Sequence, residues 1–194
     1  MVSPEKLIAS FDIDGVLNNY PFTFLDFLKR ESGLIFESKN EALDSLGKNG
    51  YDFHKDAYRK SDFKYQVAVD QNICNLINLF KSRRFELYVS TSRPFHLYPN
   101  MYENTINWLK MSEVPFDKLI KKSDLISENF LIHFDDELDH IYELFNNVEN
   151  RIFIHLSDSY EEEMQILDTK NKVLGFSKKA AEKSKFIKDF LCEL

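Results

Sequence analysis

The stretch Phe11-Asp12-Ile13-Asp14-Gly15-Val16-Leu17 follows directly on the apolar run Leu7-Ile8-Ala9-Ser10-Phe11. A buried strand ending in Asp-x-Asp-Gly holds two acids at the carboxyl edge of a sheet, and the glycine lets the backbone turn away sharply. Two charges so close repel unless a cation sits between them or one carboxyl keeps its proton. The pair therefore points to a metal site with one acid left for chemistry. Alone it is a weak signal, because acidic turns are common.

Three more apolar runs read as buried parallel strands: Phe85–Val89, Phe130–Phe134 and Ile152–Leu156. Helical periodicity lies between them. Ile73, Leu76, Ile77 and Phe80 follow the i, i+3, i+4, i+7 rule, as do Ile141, Leu144, Phe145 and Val148. Asn100 with Glu103 reads as a capping box, and Ser177 as the cap of a final helix turning Ile187, Phe190 and Leu191 inward. Strands alternating with helices predict an α/β three-layer sandwich with a mostly parallel, Rossmann-like sheet. Ligands of such sheets bind beyond the carboxyl ends of the strands.

One interval breaks the alternation. Residues 18–70 contain no clear strand, although a crossover needs only a dozen or more residues. A helix is predicted from Pro21 to near Gly33, followed by polar text around Gly47, Asn49 and Gly50, then Tyr51-Asp52-Phe53-His54-Lys55. This reads as a small helical cap inserted after the acidic turn, within a single domain spanning 1–194.

Bulk properties bound the function. The 194 residues are 43% hydrophobic, with 18 Phe and 9 Tyr, enough for a sizeable core. A net charge of −7 argues against a general nucleic-acid binder. The two cysteines, Cys74 and Cys192, lack pairing or zinc-ligand spacing, which suits a reducing cytoplasm. Met1 to Lys6 lack a signal-peptide pattern, and no apolar run reaches transmembrane length. The expectation is a cytoplasmic protein without nucleic-acid or membrane partners; oligomeric state is left open.

Two further predicted strands also end in reactive groups. Phe85–Val89 runs into Ser90-Thr91-Ser92-Arg93-Pro94, and Phe130–Phe134 into Asp135-Asp136-Glu137. Between them, Pro115-Phe116-Asp117-Lys118-Leu119-Ile120 leads to Lys121 and Lys122. Singly, these are helix caps and solvated charges. Together they form an ordered series, acid pair, hydroxyl, lysine, acid pair, where parallel strands converge.

This series resembles the haloacid dehalogenase-like hydrolase superfamily, whose members are mostly phosphatases. Asp12-Ile13-Asp14-Gly15-Val16-Leu17 matches the first motif, Thr91-Ser92-Arg93 the second, Lys122 (over Lys121) the third and Asp135-Asp136 the fourth. Thr105-Ile106-Asn107-Trp108-Leu109 followed by Pro115-Phe116-Asp117 is also similar to 5′-nucleotidase-like members. The resemblance implies a Mg²⁺-dependent phosphomonoesterase acting on a small phosphorylated metabolite, a nucleoside 5′-monophosphate or a sugar phosphate. It implies that Asp12 attacks phosphorus and forms an aspartyl-phosphate, dividing one hard displacement into two. Asp14 then serves as general acid and base, and Thr91 and Lys122 stabilise the phosphoryl group. Mg²⁺ is implied on the Asp12 side chain, the Asp14 carbonyl and either Asp136, favoured, or Asp135. Ser92 and Arg93 are candidate phosphate contacts; Arg93 reads equally as a brace.

Other residues carry less. His54, in the cap, reads as an exposed surface residue rather than a substrate contact; His96 and His140 give no functional signal, and His133 and His155 read as core. Phe22, Phe24, Tyr51 and Phe53 suit either a nucleobase or the cap's own core. A receiver-type signalling domain uses similar groups, but places its adjacent acid pair on the first strand, not the last.

Overall fold

The computed structural model describes residues 6–157, 160, 164–167 and 171–193. Among these, seven strands form one sheet in the order β3-β2-β1-β4-β5-β7-β6. The central strand β1 (Ile8–Asp12) pairs in parallel with β2 (Glu86–Thr91) on one side and β4 (Phe130–Asp135) on the other. Chain order runs outward to β3 (Lys118–Lys121), then returns across β1 to β4 and β5 (Ile152–Leu156). That reversal opens a crevice at the carboxyl ends of β1, β2 and β4, the switch point of a doubly wound sheet.

The sheet is wider than the sequence suggests. β3, β6 (Met164–Leu167) and β7 (Lys172–Phe176) escape the reading by apolar runs. β3 is four residues long with lysine at both ends, as suits a short edge strand. β7 is parallel to β5, whereas β6 pairs with it antiparallel, so the sheet is mixed at that edge.

Helices α3 (Gln71–Ser82), α4 (Met101–Met111) and α5 (Leu138–Asn147) cross between strands. Ile73, Leu76, Ile77 and Phe80 are all fully buried, as their spacing predicts. Phe11 of β1 stacks on Phe134 of β4 at 4.5 Å and meets Phe80 edge-on, joining sheet to helix. The predicted capping box at Asn100 does not form. Asn100 already has helical backbone angles, and a 3-10 turn at Phe95–Leu97 leads into α4. Ser177 does cap a helix, accepting from the Ala180 amide, but the final helix is two: α6 (Lys178–Lys183) and α7 (Lys185–Glu193). Ser184 breaks them with non-helical backbone angles and accepts from the Ile187 amide.

Between β1 and α3 lie α1 (Phe22–Ser32), α2 (Lys39–Lys60) and a 3-10 turn at Phe63–Tyr65. α1 stops at Gly33, which takes the left-handed conformation. Gly47 and Gly50, read as turn residues, instead lie within α2. Only Gly47 interrupts it, as a kink with φ of 62°. Phe24, Leu25, Phe27, Leu28, Tyr51 and Tyr58 form a separate small core here. The segment leaves and returns at one point: the Asp70 amide donates to the Leu17 carbonyl at 2.9 Å.

No described helix is long and apolar enough to cross a membrane. The reading of a leaderless N-terminus falls mostly on residues 1–5, outside the described residues.

Candidate active site

β1 delivers Asp12 to the crevice, and the chain then makes one wide turn over Ile13–Leu17, closed by the Asn18 amide on the Ile13 carbonyl. Asp14 and Gly15 depart from helical angles within it, Gly15 with φ of 94°. Asn18 organises the turn. Its side-chain oxygen accepts from the amides of Gly15 and Tyr20, and its amide nitrogen donates to Asp14 at 2.8 Å. Nothing in the reading of Asp-x-Asp-Gly singled out Asn18. Its signal was a short polar residue just past a glycine turn.

The groups read from distant parts of the chain meet here. Lys122 Nζ lies 3.1 Å from Asp12 and 2.8 Å from Asp135, with its side chain only 8% exposed. Lys121 is exposed. Burial works against the Lys122 charge, but Asp12 and Asp135 outweigh it and raise its pKa. Asp12 itself is pushed well above the usual carboxylate range, by burial first and by Asp135 next. Asp12, Asp135 and Asp136 bring carboxylate oxygens within 4.8 Å of one another.

These three acids differ in how far they are already satisfied. Asp135 accepts from Lys122 and His133 on one oxygen and from the Glu137 amide on the other. Burial would raise its pKa; His133 and Lys122 reverse this and hold it low. Asp136 keeps a buried oxygen with no hydrogen-bond partner, and burial, with Asp135 and Glu137 nearby, lifts its pKa to about 7. A buried oxygen with no partner beside two more carboxylates fits a hard divalent cation such as Mg²⁺, which takes oxygen ligands and retains water. Asp136 and Asp12 are the oxygens best placed to hold it, with Asp135 oriented behind them.

Thr91 is buried at the end of β2 and lines the cavity with Ser92. Its hydroxyl accepts from the Arg93 amide at 3.2 Å, which leaves its own hydrogen available to a ligand. Arg93, read equally as a phosphate contact or a brace, is engaged within the protein. Nε and Nη2 pair with the two Asp14 oxygens at 2.9 and 2.7 Å, and Nη1 donates to Thr105 at 3.2 Å. With every nitrogen engaged, and Tyr65 and Trp108 each 5.8 Å from its centre, Arg93 braces the turn.

This pairing also bears on the acid and base role expected of Asp14. A general acid must hold a proton near neutral pH. Burial would favour that, but the Arg93 charge and hydrogen bonds, with Asn18, overcome it and hold Asp14 at about 2. In this geometry the pair with Arg93 favours the ionised form of Asp14.

The site floor opens into a cavity of about 210 Å³ roofed by the 18–70 segment. Tyr20, Tyr58 and the cations Lys39, Lys55, Arg59 and Lys64 line that side. Phe24 and Tyr51 pack in the segment's own core, whereas Phe22 and Phe53 are exposed and away from the cavity. Two histidines matter more than their sequence context implied. His133 is buried, burial pushes its pKa down against the pull of Asp135, and its Nε2 bonds Asp135 at 3.1 Å. His140 lines the cavity 3.0 Å from Lys122.

No protein-family model and no curated protein matches the chain in sequence. Solved structures do match in shape. A candidate β-phosphoglucomutase from Thermotoga maritima superposes with a TM-score of 0.61 at 13% identity, covering 94% of this chain and 99% of that one. A haloacid dehalogenase-superfamily hydrolase from Ehrlichia chaffeensis gives 0.53 at 14% identity, covering 98% of each chain. A family IA hydrolase of that superfamily from Entamoeba histolytica gives 0.50 at 17%, covering 79% and 85%. The sheet and its flanking helices are thus those of a doubly wound α/β fold. More specifically, the chain has the haloacid dehalogenase-like fold.

Proposed function

We propose that this protein is a Mg²⁺-dependent phosphomonoesterase that hydrolyses a small phosphorylated metabolite through an aspartyl-phosphate on Asp12. One observation carries the reading: buried Lys122 bridges Asp12 and Asp135 while Asp136 keeps an unpartnered oxygen beside them. Such a site sets a lysine and a place for a divalent cation around one carboxylate nucleophile, where a phosphoryl group must be neutralised before attack. Asp12, Asp136 and the Asp14 carbonyl would hold the metal, which when bound would help neutralise phosphoryl charge.

The chain's own groups account for the rest. Lys122 holds one Asp12 oxygen, leaving the other to attack. Thr91 offers its hydroxyl to a phosphoryl oxygen. Ionised Asp14 suits removal of a proton from water in the second half-reaction; giving one to a leaving alcohol requires its pair with Arg93 to part. The 18–70 segment acts as the cap that selects substrates, with nucleoside 5′-monophosphates and sugar phosphates as the classes to compare. Unpaired Cys74 and Cys192 suit a cytoplasmic setting.

The test is hydrolysis of 4-nitrophenyl phosphate with Mg²⁺ by wild type and by Asp12→Asn. Turnover is expected only in wild type. Near wild-type turnover in the variant removes Asp12 as nucleophile, and a durable acyl-phosphate after acetyl phosphate treatment, without ester hydrolysis, points instead to a receiver.

A further inference from the structure

The two walls of the cavity are unlike in charge. On the floor, Asp12 is paired with Lys122 and Asp14 with Arg93. The roof presents four cations, and its carboxylate opposition is slight. Lys39 reaches Glu137 at 3.8 Å, both half exposed, and Glu137 also contacts His140. Among the described residues, Lys55, Arg59 and Lys64 have no carboxylate within 4.0 Å. Asp56, near Arg59 in α2, is committed to Lys60 and Tyr98.

The contacts of these cations are neutral. Lys64 donates to the carbonyls of Arg59 and Ser61. Lys55 donates to the Tyr20 hydroxyl and stands 4.3 Å from the centre of that ring. Lys55 and Arg59 lie one helical turn apart, a spacing at which like charges repel. Burial first, then Lys39 and Arg59, lower the Lys55 pKa to about 8. A bound anion removes that repulsion.

A phosphate dianion on the floor does not exhaust this excess. With a divalent cation there, the metal and Lys122 offset Asp12, Asp135 and Asp136, and Arg93 offsets Asp14. Resting on the phosphatase reading above, we propose that Lys55 and Arg59, supported by Lys64, form a subsite for a second anionic group. The substrate is then a small organic phosphate whose far end carries a carboxylate or a second phosphate. Arginine beside lysine suits either anion, because the guanidinium fork matches planar and tetrahedral oxyanions alike.

Paired substrates test this with Mg²⁺ present. 3-Phosphoglycerate and glycerol 3-phosphate differ by a carboxylate in place of a hydroxymethyl group; fructose 1,6-bisphosphate and fructose 6-phosphate differ by a phosphate. Wild type should favour the doubly anionic member by about tenfold or more in kcat/KM in at least one pair, and that pair identifies the anion. Lys55→Met and Arg59→Gln should each bring the ratio towards one. Ratios near one in both pairs, ratios that both variants leave intact, or AMP outpacing every doubly anionic ester overturn the subsite. If 4-nitrophenyl phosphate and all esters are inert, the phosphatase reading fails separately. Melting shifts then decide: a larger shift with 3-phosphoglycerate or fructose 1,6-bisphosphate than with its partner, lost in Lys55→Met, supports the subsite, and equal shifts in both pairs refute it.

Discussion

A β-carbon on Gly15 would lie 1.9 Å from the Asp136 carboxylate. The turn after β1 and the end of β4 thus approach so closely that only a residue without a side chain fits, and its φ of 94° demands the same. Gly15 shapes the site by what it lacks. Gly15→Ala should cost about 1–2 kcal/mol from backbone strain alone. By displacing Asp136 it should also weaken Mg²⁺ affinity by about 10–100-fold. Calorimetric Mg²⁺ titration checks this; unchanged affinity would show that Asp136 is not a ligand.

Lys122 separates two buried carboxylates. Removing one partner from such a cluster leaves uncompensated charge and typically costs about 3–5 kcal/mol. Lys122→Met should therefore unfold at lower denaturant than wild type, with a smaller deficit in Mg²⁺, because the ion replaces part of the missing charge. Urea melts with and without Mg²⁺ measure it. A deficit indifferent to Mg²⁺ contradicts a shared charge cluster.

Among the described residues the Thr91 hydroxyl has one hydrogen bond, accepting from the Arg93 amide. Thr91→Ala should lower kcat by about 10²–10³-fold, the usual effect of losing a preorganised donor. Thr91→Ser should recover most of it. Steady-state kinetics on 4-nitrophenyl phosphate would show whether the hydroxyl matters.

Lys55 gives the protein two pH dependences of opposite sign. Its pKa falls from an ordinary 10.5 to about 8 on folding, chiefly through burial. Between those values the unfolded chain holds more protons, so stability should rise with pH from 8 towards 10.5 and lie at its lower level below 8. Lys64, lowered to about 8 by burial and Arg93, acts in the same direction. Affinity for an anion under the roof should instead decline above pH 8 as the ammonium deprotonates. Lys55→Met should be more stable than wild type at pH 7, with the difference closing near pH 10.5. A variant less stable at pH 7 means the ring contacts outweigh the buried charge.

Much of the site was legible because strand ends are legible. Asp12, Thr91 and Asp135 each close an apolar run, and parallel strands with helical crossovers must bring such ends to one edge. Lys122 was harder to separate from Lys121. The choice depends on which one turns inward after β3, a strand too short and polar to show as an apolar run. Arg93 could be read as ligand or brace, since nothing in its neighbours reveals that Asp14 takes two of its nitrogens.

The sequence by itself determined the alternation of strands and helices, the inserted helical segment and the residue types gathered at the crevice, because periodicity and motif order are local properties. Only the tertiary structure decided the state of those residues. Asp14 is paired with Arg93, which favours its ionised form, Asp136 keeps an unpartnered oxygen, and Lys55 and Arg59 face the cavity without carboxylate partners. Charge state and pairing depend on burial and on neighbours tens of residues away, and those distances exist only once the chain has folded.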